Sequence, residues 1–386
     1  MGLFVILPLI LAVYGAVNYY VGLRGWQWLT ALTAGAVPCP LYWTLFWLLA
    51  LSFPLARLTA DQLPLLVSDW LVRISSYWMA FFVCALLVLP LFDLLRLMAR
   101  WSGLLPAGLV AGPKLARLSG LVVCALVVGL FLYGTWRART PVVTEYDLTI
   151  PKQAPGYREL NVVLVSDTHL GAIIGNRRIR QLVETVNRLQ PDLVLLAGDI
   201  VDDSFRPFVA YDMPAELSRL RAPLGVYSVL GNHDAGSENL AEFRAQMERA
   251  GIRLLVDEWV KVDDSFYVVG RSDGSWRRYS GRKEIPLTQI LAGVDPSLPI
   301  LLMDHKPDRL EEAVASGVDL QVSGHTHRGQ IFPGNLITRR IFEVDAGYLQ
   351  KGKTHFIVSV GYGTWGPPIR IGNRPEVVRI HITFSG

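Results

Sequence analysis

Four uncharged apolar runs near the N-terminus restrict this chain more than any other feature. They cover Leu3 to Leu23, Gly25 to Ala56, Ile74 to Phe92 and Leu118 to Trp136. Each stops at charge: Arg24, Arg57, Asp93 with Arg96 and Arg100, and Arg137 with Arg139. A helix needs about 20 apolar residues to cross a bilayer. Helices of a soluble bundle would instead show a recurring polar face, and these runs lack one. Tryptophan and tyrosine gather at their edges (Trp26, Trp28, Trp70, Tyr77, Trp101, Tyr133, Trp136), as in interfacial belts. Pro38, Pro40 and Pro54 mark ends or kinks of the second run. A secretory signal would begin with basic residues, yet the first Lys or Arg is Arg24. The expectation is an all-α, four-helix transmembrane region over residues 1–140 of a multi-pass integral protein of the cell membrane.

Charge divides the chain in the same place. Residues 1–136 hold seven Lys/Arg and three Asp/Glu, and the rest hold thirty of each, so the net charge of +4 arises in the apolar part. A neutral C-terminal part has no broad electrostatic claim on nucleic acid, and none is expected as a partner. Cys39, Cys84 and Cys124 all fall in the apolar part and form no disulfide or metal-binding spacing. Four crossings place the N-terminus and the C-terminal domain on one side. The loops of the far side carry Arg24, Arg96, Arg100, Lys114 and Arg117, against Arg57, Arg73, Arg137 and Arg139 on the near side. Positive charge stays cytoplasmic, which points the C-terminal domain to the extracytoplasmic side.

From about Pro141 short apolar runs alternate with polar helical stretches, the pattern of an α/β domain over residues 141–386. Strands are expected at Asn161 to Ser166, Leu193 to Ala197, Val226 to Leu230, Ile300 to Met303, Leu320 to Val322, His355 to Val360 and Glu376 to Ile382. Helices are expected at Asn176 to Gln190, Glu238 to Ala250 and Pro307 to Ser316. Arg137 to Pro155 reads as the nearest thing to a linker.

Five of the expected strands end in polar turns. These are Asp167-Thr168-His169, Gly198-Asp199-Ile200-Val201-Asp202, Gly231-Asn232-His233-Asp234, Asp304-His305 and Gly324-His325-Thr326-His327. Five of the seven histidines lie there, while His355 and His381 fall in strands and read as structural. Taken singly, each turn has an ordinary explanation as a cap or loop. Together they converge on one edge of a sheet, where chemistry in α/β domains belongs. Carboxylate, imidazole and amide oxygen without thiolate suit a pair of divalent ions such as Mn, Fe or Zn. Two such ions need a bridging group, and phosphate esters are the substrates that most use the clamp.

The order Asp-x-His, Gly-Asp-x-x-Asp, Gly-Asn-His-Asp, His, Gly-His-x-His resembles the calcineurin-like metallophosphoesterase superfamily. Gly324 to Pro333 (GHTHRGQIFP), Val358 to Arg370 (VSVGYGTWGPPIR) and Arg374-Pro375-Glu376 are similar to its bacterial YkuE/YaeI-like branch. The membrane-anchored layout is similar to transmembrane metallophosphoesterase-domain proteins. The resemblance implies an αββα sandwich of two mixed sheets between helical layers. It also implies a first metal on Asp167, His169 and His327, and a second on Asn232, His305 and His325, with Asp199 bridging. His233 would act on the leaving group and Asp202 would orient it.

Two departures stand out. The arginine that follows Gly-Asp-x-x-Asp in phosphoprotein phosphatases is Asp203 here, which argues against phosphoprotein substrates. The position after Gly-His-Thr-His, often glycine in relatives, is Arg328, which could take a second phosphate or a lipid headgroup or simply face solvent. The basic, aromatic segment Arg271 to Lys283 could touch substrate or anionic lipid, or be a solvated loop. The expected function is a membrane-anchored phosphoesterase acting on a phosphoester or pyrophosphate bond, with a lipid-linked substrate favoured and membrane lipids as partners. The alternatives are a tethered phosphodiesterase of soluble nucleotides and an inactive metal-binding sensor or scaffold.

Overall fold

The computed structural model describes residues 2–102, 113–234, 240–275, 281 and 283–386. The chain forms two compact units, Met1–Thr135 with Gly366–Pro368, and Trp136–Trp365 with Ile369–Gly386.

The first unit is helical: α1 (Gly2–Thr33), α2 (Cys39–Thr59), α3 (Leu65–Trp101) and α4 (Pro113–Arg139), the last running on into the second unit. Among the described residues, three helices are long and apolar enough to cross a membrane: Cys39–Thr59, Leu65–Trp101 and Arg117–Arg139. The first expected run lies within α1, outside those three. The second, Gly25 to Ala56, is not one helix. Ala34 and Gly35 adopt left-handed backbone (φ 52 and 80) and Pro38 precedes α2, so the chain turns between Thr33 and Cys39. The loop between α3 and α4, residues 103–112, lies outside the described residues.

The second unit holds two six-stranded sheets. One has the order β1 (Val142–Ile150), β12 (Glu376–Phe384), β2 (Glu159–Val165), β3 (Leu193–Leu196), β4 (Val226–Val229), β5 (Ile252–Leu255). The other has the order β10 (Gly347–Lys351), β11 (Thr354–Val358), β9 (Leu320–Ser323), β8 (Ile300–Asp304), β7 (Phe266–Arg271), β6 (Glu258–Val262). β2 to β5 are parallel to one another, as are β7, β8, β9 and β11. Strands buried on both faces read as unbroken apolar runs, and the two cores show why. In β2, Val162 and Leu164 enter the core between the sheets, while Val163 and Val165 face the helical layer. In β8, Leu301 and Met303 face the first core, while Ile300 and Leu302 pack outward. The outer layers are α5 (Asn176–Arg188), α6 (Arg206–Ala210), α7 (Met213–Leu217) and α8 (Leu240–Arg249) on one sheet. On the other they are α9 (Leu287–Ile290) and α10 (Leu310–Ala315). A last helix, α11 (Gly334–Ile341), follows a short 3-10 turn at His327–Gly329. This is the αββα sandwich.

One expectation fails outright. Arg137 to Pro155 is not a linker, because α4 runs to Arg139 and β1 begins at Val142. Val142, Thr144, Tyr146, Leu148 and Ile150 alternate along β1, which pairs in parallel with β12. The expected helix at Glu238 to Ala250 spans Leu240–Arg249, and its first two residues lie outside the described set.

Candidate metal centre

Parallel strands aim their C-terminal ends at one edge, and five of those ends deliver the polar turns. β2 delivers Asp167 and His169, β3 Asp199, β4 Asn232 and His233, β8 His305, and β9 His325 and His327. The turns are tight enough to demand unusual backbone. Asp167, His169, Asp199, His325, His327 and Arg328 all have φ between 46 and 70. Asp and His are among the side chains that tolerate this region best, and such strain clusters where surrounding structure holds a site together. Gly324 serves by absence: a Cβ there would collide with the Ser166 hydroxyl and the Asp167 carboxylate. The Ser166 hydroxyl donates to Asp167, and the His325 N–H donates to Asp167 Oδ1 at 3.0 Å.

The donor atoms form two groups. In the first, His169 Nε2 and His327 Nε2 are 3.1 Å apart, and His327 Nε2 lies 3.4 Å from Asp167 Oδ1. In the second, Asn232 Oδ1 is 2.7 Å from His325 Nδ1 and 3.2 Å from His305 Nε2. Asp199 Oδ2 reaches both, at 3.2 Å from His305 Nε2 and 3.9 Å from His169 Nε2. Ligands held at about 2.1 Å from one ion lie about 3.0–3.5 Å from each other, so these spacings fit. Two imidazole Nε2 atoms at this distance can share one proton in a hydrogen bond, or turn both lone pairs to one cation.

The field of the site separates its residues. Burial pushes Asp199 up, but neighbouring His305, then His169 and His233, override it and hold the carboxyl far below its ordinary value. Burial depresses His305, yet Asp199 overrides that and raises it well above the ordinary histidine value. His327 is lowered well below 6.5 by burial, His169 and Arg370, and His325 is lowered to about 4 by burial and His305. Both are therefore neutral and able to donate a lone pair. Burial and the charge of Asp199 raise Asp234 to about 6. Its carboxylate accepts the N–H groups of Val201 (2.9 Å) and Gly231 (3.0 Å), tying two ligand turns together.

The supporting partners differ from those expected. Asp202, expected to orient His233, has a carboxylate oxygen within 4.8 Å of a His233 ring nitrogen, while its Oδ1 lies 3.5 Å from His169 Nδ1. Both atoms are buried and, among the described residues, otherwise without a hydrogen-bond partner. His233 Nδ1 is 2.9 Å from Asp203 Oδ1, and the His233 N–H donates to Asp199 Oδ1 at 2.8 Å. The tight turn after Asp199 faces two consecutive carboxylates to two different imidazoles. The sequence marked Asp203 only as a departure.

Tyr362, Trp365 and Arg370 lie in a noted motif but were given no role, and Asn373 lies just outside it. Arg370 is fully buried, donating to the carbonyls of Val360, Gly361 and Gly363 and to Asn373 Oδ1, with Nη2 3.3 Å from His327 Nδ1. The loop it fastens docks on the end of β2, where the Tyr362 N–H donates to the Ser166 carbonyl (2.8 Å) and the Gly363 N–H to that of Asp167 (2.7 Å). Asn373 in turn donates to the carbonyl of His327 at 2.9 Å. The Trp365 ring, half exposed, lies with its centroid 6.0 Å from that of His233.

Arg328 is partly buried with left-handed backbone beside the site. Arg271 is no surface cation. It ends β7, is 2% exposed and lies against Glu312 (2.7 Å), Asp304 and Glu284 (both 3.4 Å). Residues 276–280 and 282 of the basic segment lie outside the described residues. His355, in β11, sits between the Tyr348 hydroxyl (2.8 Å) and the Thr149 carbonyl (3.2 Å), away from the centre.

Residues 160–329 match the family model for calcineurin-like phosphoesterases. An uncharacterized metallophosphoesterase from Aquifex aeolicus is 34% identical over 250 residues, spanning 63% of this chain and 92% of that protein. A transmembrane protein with metallophosphoesterase domain from Bos taurus is 31% identical over 258 residues, spanning 63% of this chain and 57% of that one. Among solved structures, a 5'-nucleotidase precursor from Thermus thermophilus is similar at 14% identity and a TM-score of 0.36, covering 58% of this chain and 54% of that one.

Proposed function

This chain belongs to the calcineurin-like metallophosphoesterases, hydrolases of phosphoester bonds, and from that membership we propose that it uses two divalent cations to cleave a lipid-linked phosphoester or pyrophosphate at a membrane. The observation that carries the two-cation reading is Asp199 Oδ2, within reach of the donor atoms of both groups. Asp167, His169 and His327 would hold one cation, Asn232, His305 and His325 the other, and Asp199 would bridge. Mn, Fe and Zn all suit these donors. When bound, the pair supplies Lewis acidity toward phosphoryl oxygens and lowers the pKa of water.

The remaining work falls to side chains. His233 stands at the rim of the centre with its Nδ1 held by Asp203, leaving Nε2 free to pass a proton to the departing oxygen. Asp202, 3.5 Å behind His169 Nδ1, would favour the tautomer that presents Nε2 inward. The loop around Tyr362, clamped by Arg370, holds Asp167 and His327 in one geometry. Trp365 offers a flat apolar surface beside His233 for part of the substrate.

Support for the lipid-linked class comes from the three apolar helices that the same chain carries. The test is a substrate panel with Mn-loaded full-length protein in detergent, comparing phospholipids and lipid pyrophosphates with soluble nucleotides. Higher kcat/KM on the lipid class is expected. Preference for nucleotides would overturn the lipid assignment. No turnover of any ester, aryl phosphodiesters included, would favour a sensor or scaffold.

A further inference from the structure

The helix α11 is built inside out. Thr338 faces the body of the protein, donating to Asp345 Oδ2 at 2.6 Å, and Asn335 Oδ1 is buried as well. Leu336 (57% exposed), Ile337 (63%) and Ile341 (66%) face outward, joined by Phe332 (51%) just before the helix. At roughly 3.6 residues per turn, Leu336, Arg340, Ile337 and Ile341 span about 140° of arc on the side away from Thr338. Water-facing helices carry the reverse pattern, and a contiguous apolar patch of this kind marks an interaction surface.

We propose that α11 and Phe332 form an interfacial element that lies on a lipid bilayer carrying anionic headgroups. Three observations choose this occupant. Arg339 and Arg340 are exposed in the last turn among the apolar side chains, the mixture of interfacial helices whose cations reach headgroup phosphate. The same chain carries three helices fit to cross a membrane, so a bilayer is tethered to this domain at high effective concentration. An eight-residue helix also falls short of the roughly 800 Å² per partner that a stable protein interface buries.

The placement has a consequence for access. A groove of about 480 Å³ is lined by Ile341 and Phe342 together with His325, Lys306 and Glu311. A lipid headgroup beside α11 therefore meets the donor set of the centre without leaving the surface. The docking itself does not depend on which ester is cleaved.

The test uses full-length protein with Cys39, Cys84 and Cys124 replaced by alanine, and single cysteines introduced as Leu336→Cys, Ile337→Cys, Ile341→Cys and, as control, Lys353→Cys. Each is labelled with an environment-sensitive fluorophore and placed in nanodiscs of phosphatidylcholine and phosphatidylglycerol. Blue-shifted emission and at least twofold quenching by acyl-chain nitroxide lipids are expected at 336, 337 and 341 but not at 353. Arg339→Glu with Arg340→Glu should reduce the quenching. Emission at all four positions matching aqueous dye would overturn the proposal. Blue shift without nitroxide quenching would overturn it too, by showing that protein covers the face, either a second copy or another part of the chain.

Discussion

His233 Nδ1 lies 2.9 Å from Asp203 Oδ1, while Asp202, one residue earlier, turns its carboxylate to His169. Adjacent carboxylates thus serve different imidazoles, one at the rim of the metal centre and one within it. Asp203→Asn should lower kcat about 10- to 100-fold with metal content unchanged. Asp202→Asn should instead weaken metal binding by about the same factor. Steady-state kinetics with elemental analysis of each variant separates the two, and exchanged phenotypes would restore Asp202 as the partner of His233.

Asp199 Oδ2 lies within 4 Å of a donor in each group, His305 Nε2 at 3.2 Å and His169 Nε2 at 3.9 Å. Asp199→Ala should reduce bound Mn from two ions to one or none per chain. Hydrolysis of an aryl phosphodiester should fall on the order of a thousandfold or more. Two ions retained, measured by plasma mass spectrometry, would remove the bridging role.

Proton competition should make cation binding depend on pH. In the metal-free centre His305 is buried against Asp199, which raises its pKa well above 6.5, so it holds a proton that a cation must displace. Apparent affinity should therefore climb about tenfold per pH unit as pH rises, levelling once the raised pKa is passed. Mn titrations followed by electron paramagnetic resonance at pH 6, 7 and 8 check this, and a flat profile would contradict it.

Stability should hinge on Arg271, buried among Glu312, Asp304 and Glu284. Arg271→Met takes the cation from buried Asp304 and from part-exposed Glu312 and Glu284, of which Glu312 keeps the Leu287 N–H and Glu284 keeps Arg309, and should cost about 1–3 kcal/mol. Burial opposes the charge of Glu312, but the Leu287 N–H and Arg271 outweigh it and hold the carboxyl below its usual 4.5. A depressed carboxylate contributes stability above its unfolded pKa and loses it as pH falls through the folded one. The deficit of the variant should therefore shrink as pH drops below about 4.5, as read by thermal unfolding in detergent.

Much of this was legible in the residues. Unbroken apolar strands and the turns that follow them located the donor set, because parallel strands bring their ends to one edge. The expected donors Asp167, His169, Asp199, Asn232, His305, His325 and His327 do come together. What escaped depends on backbone torsion and on distant packing. No spacing rule says which of Asp202 and Asp203 faces which histidine, since the tight turn decides it. The alternation of β1 was present in the sequence, but a strand whose partner β12 lies at the far end of the chain gives no local sign of pairing. Arg271 read as a surface cation because its three carboxylates come from other segments.

The place of β12 between β1 and β2 also sets a schedule. Thr144 bonds Glu376, 232 residues later, so β1 has no partner strand, and β2 only β3, until that stretch is made. At roughly 5–20 residues per second, β1 waits about ten to fifty seconds for its partner. The loop that seats Asp167 and the arginine that steadies His327 emerge in the same late stretch. The clamp on two of the expected metal ligands is thus completed only when the last part of the chain is made.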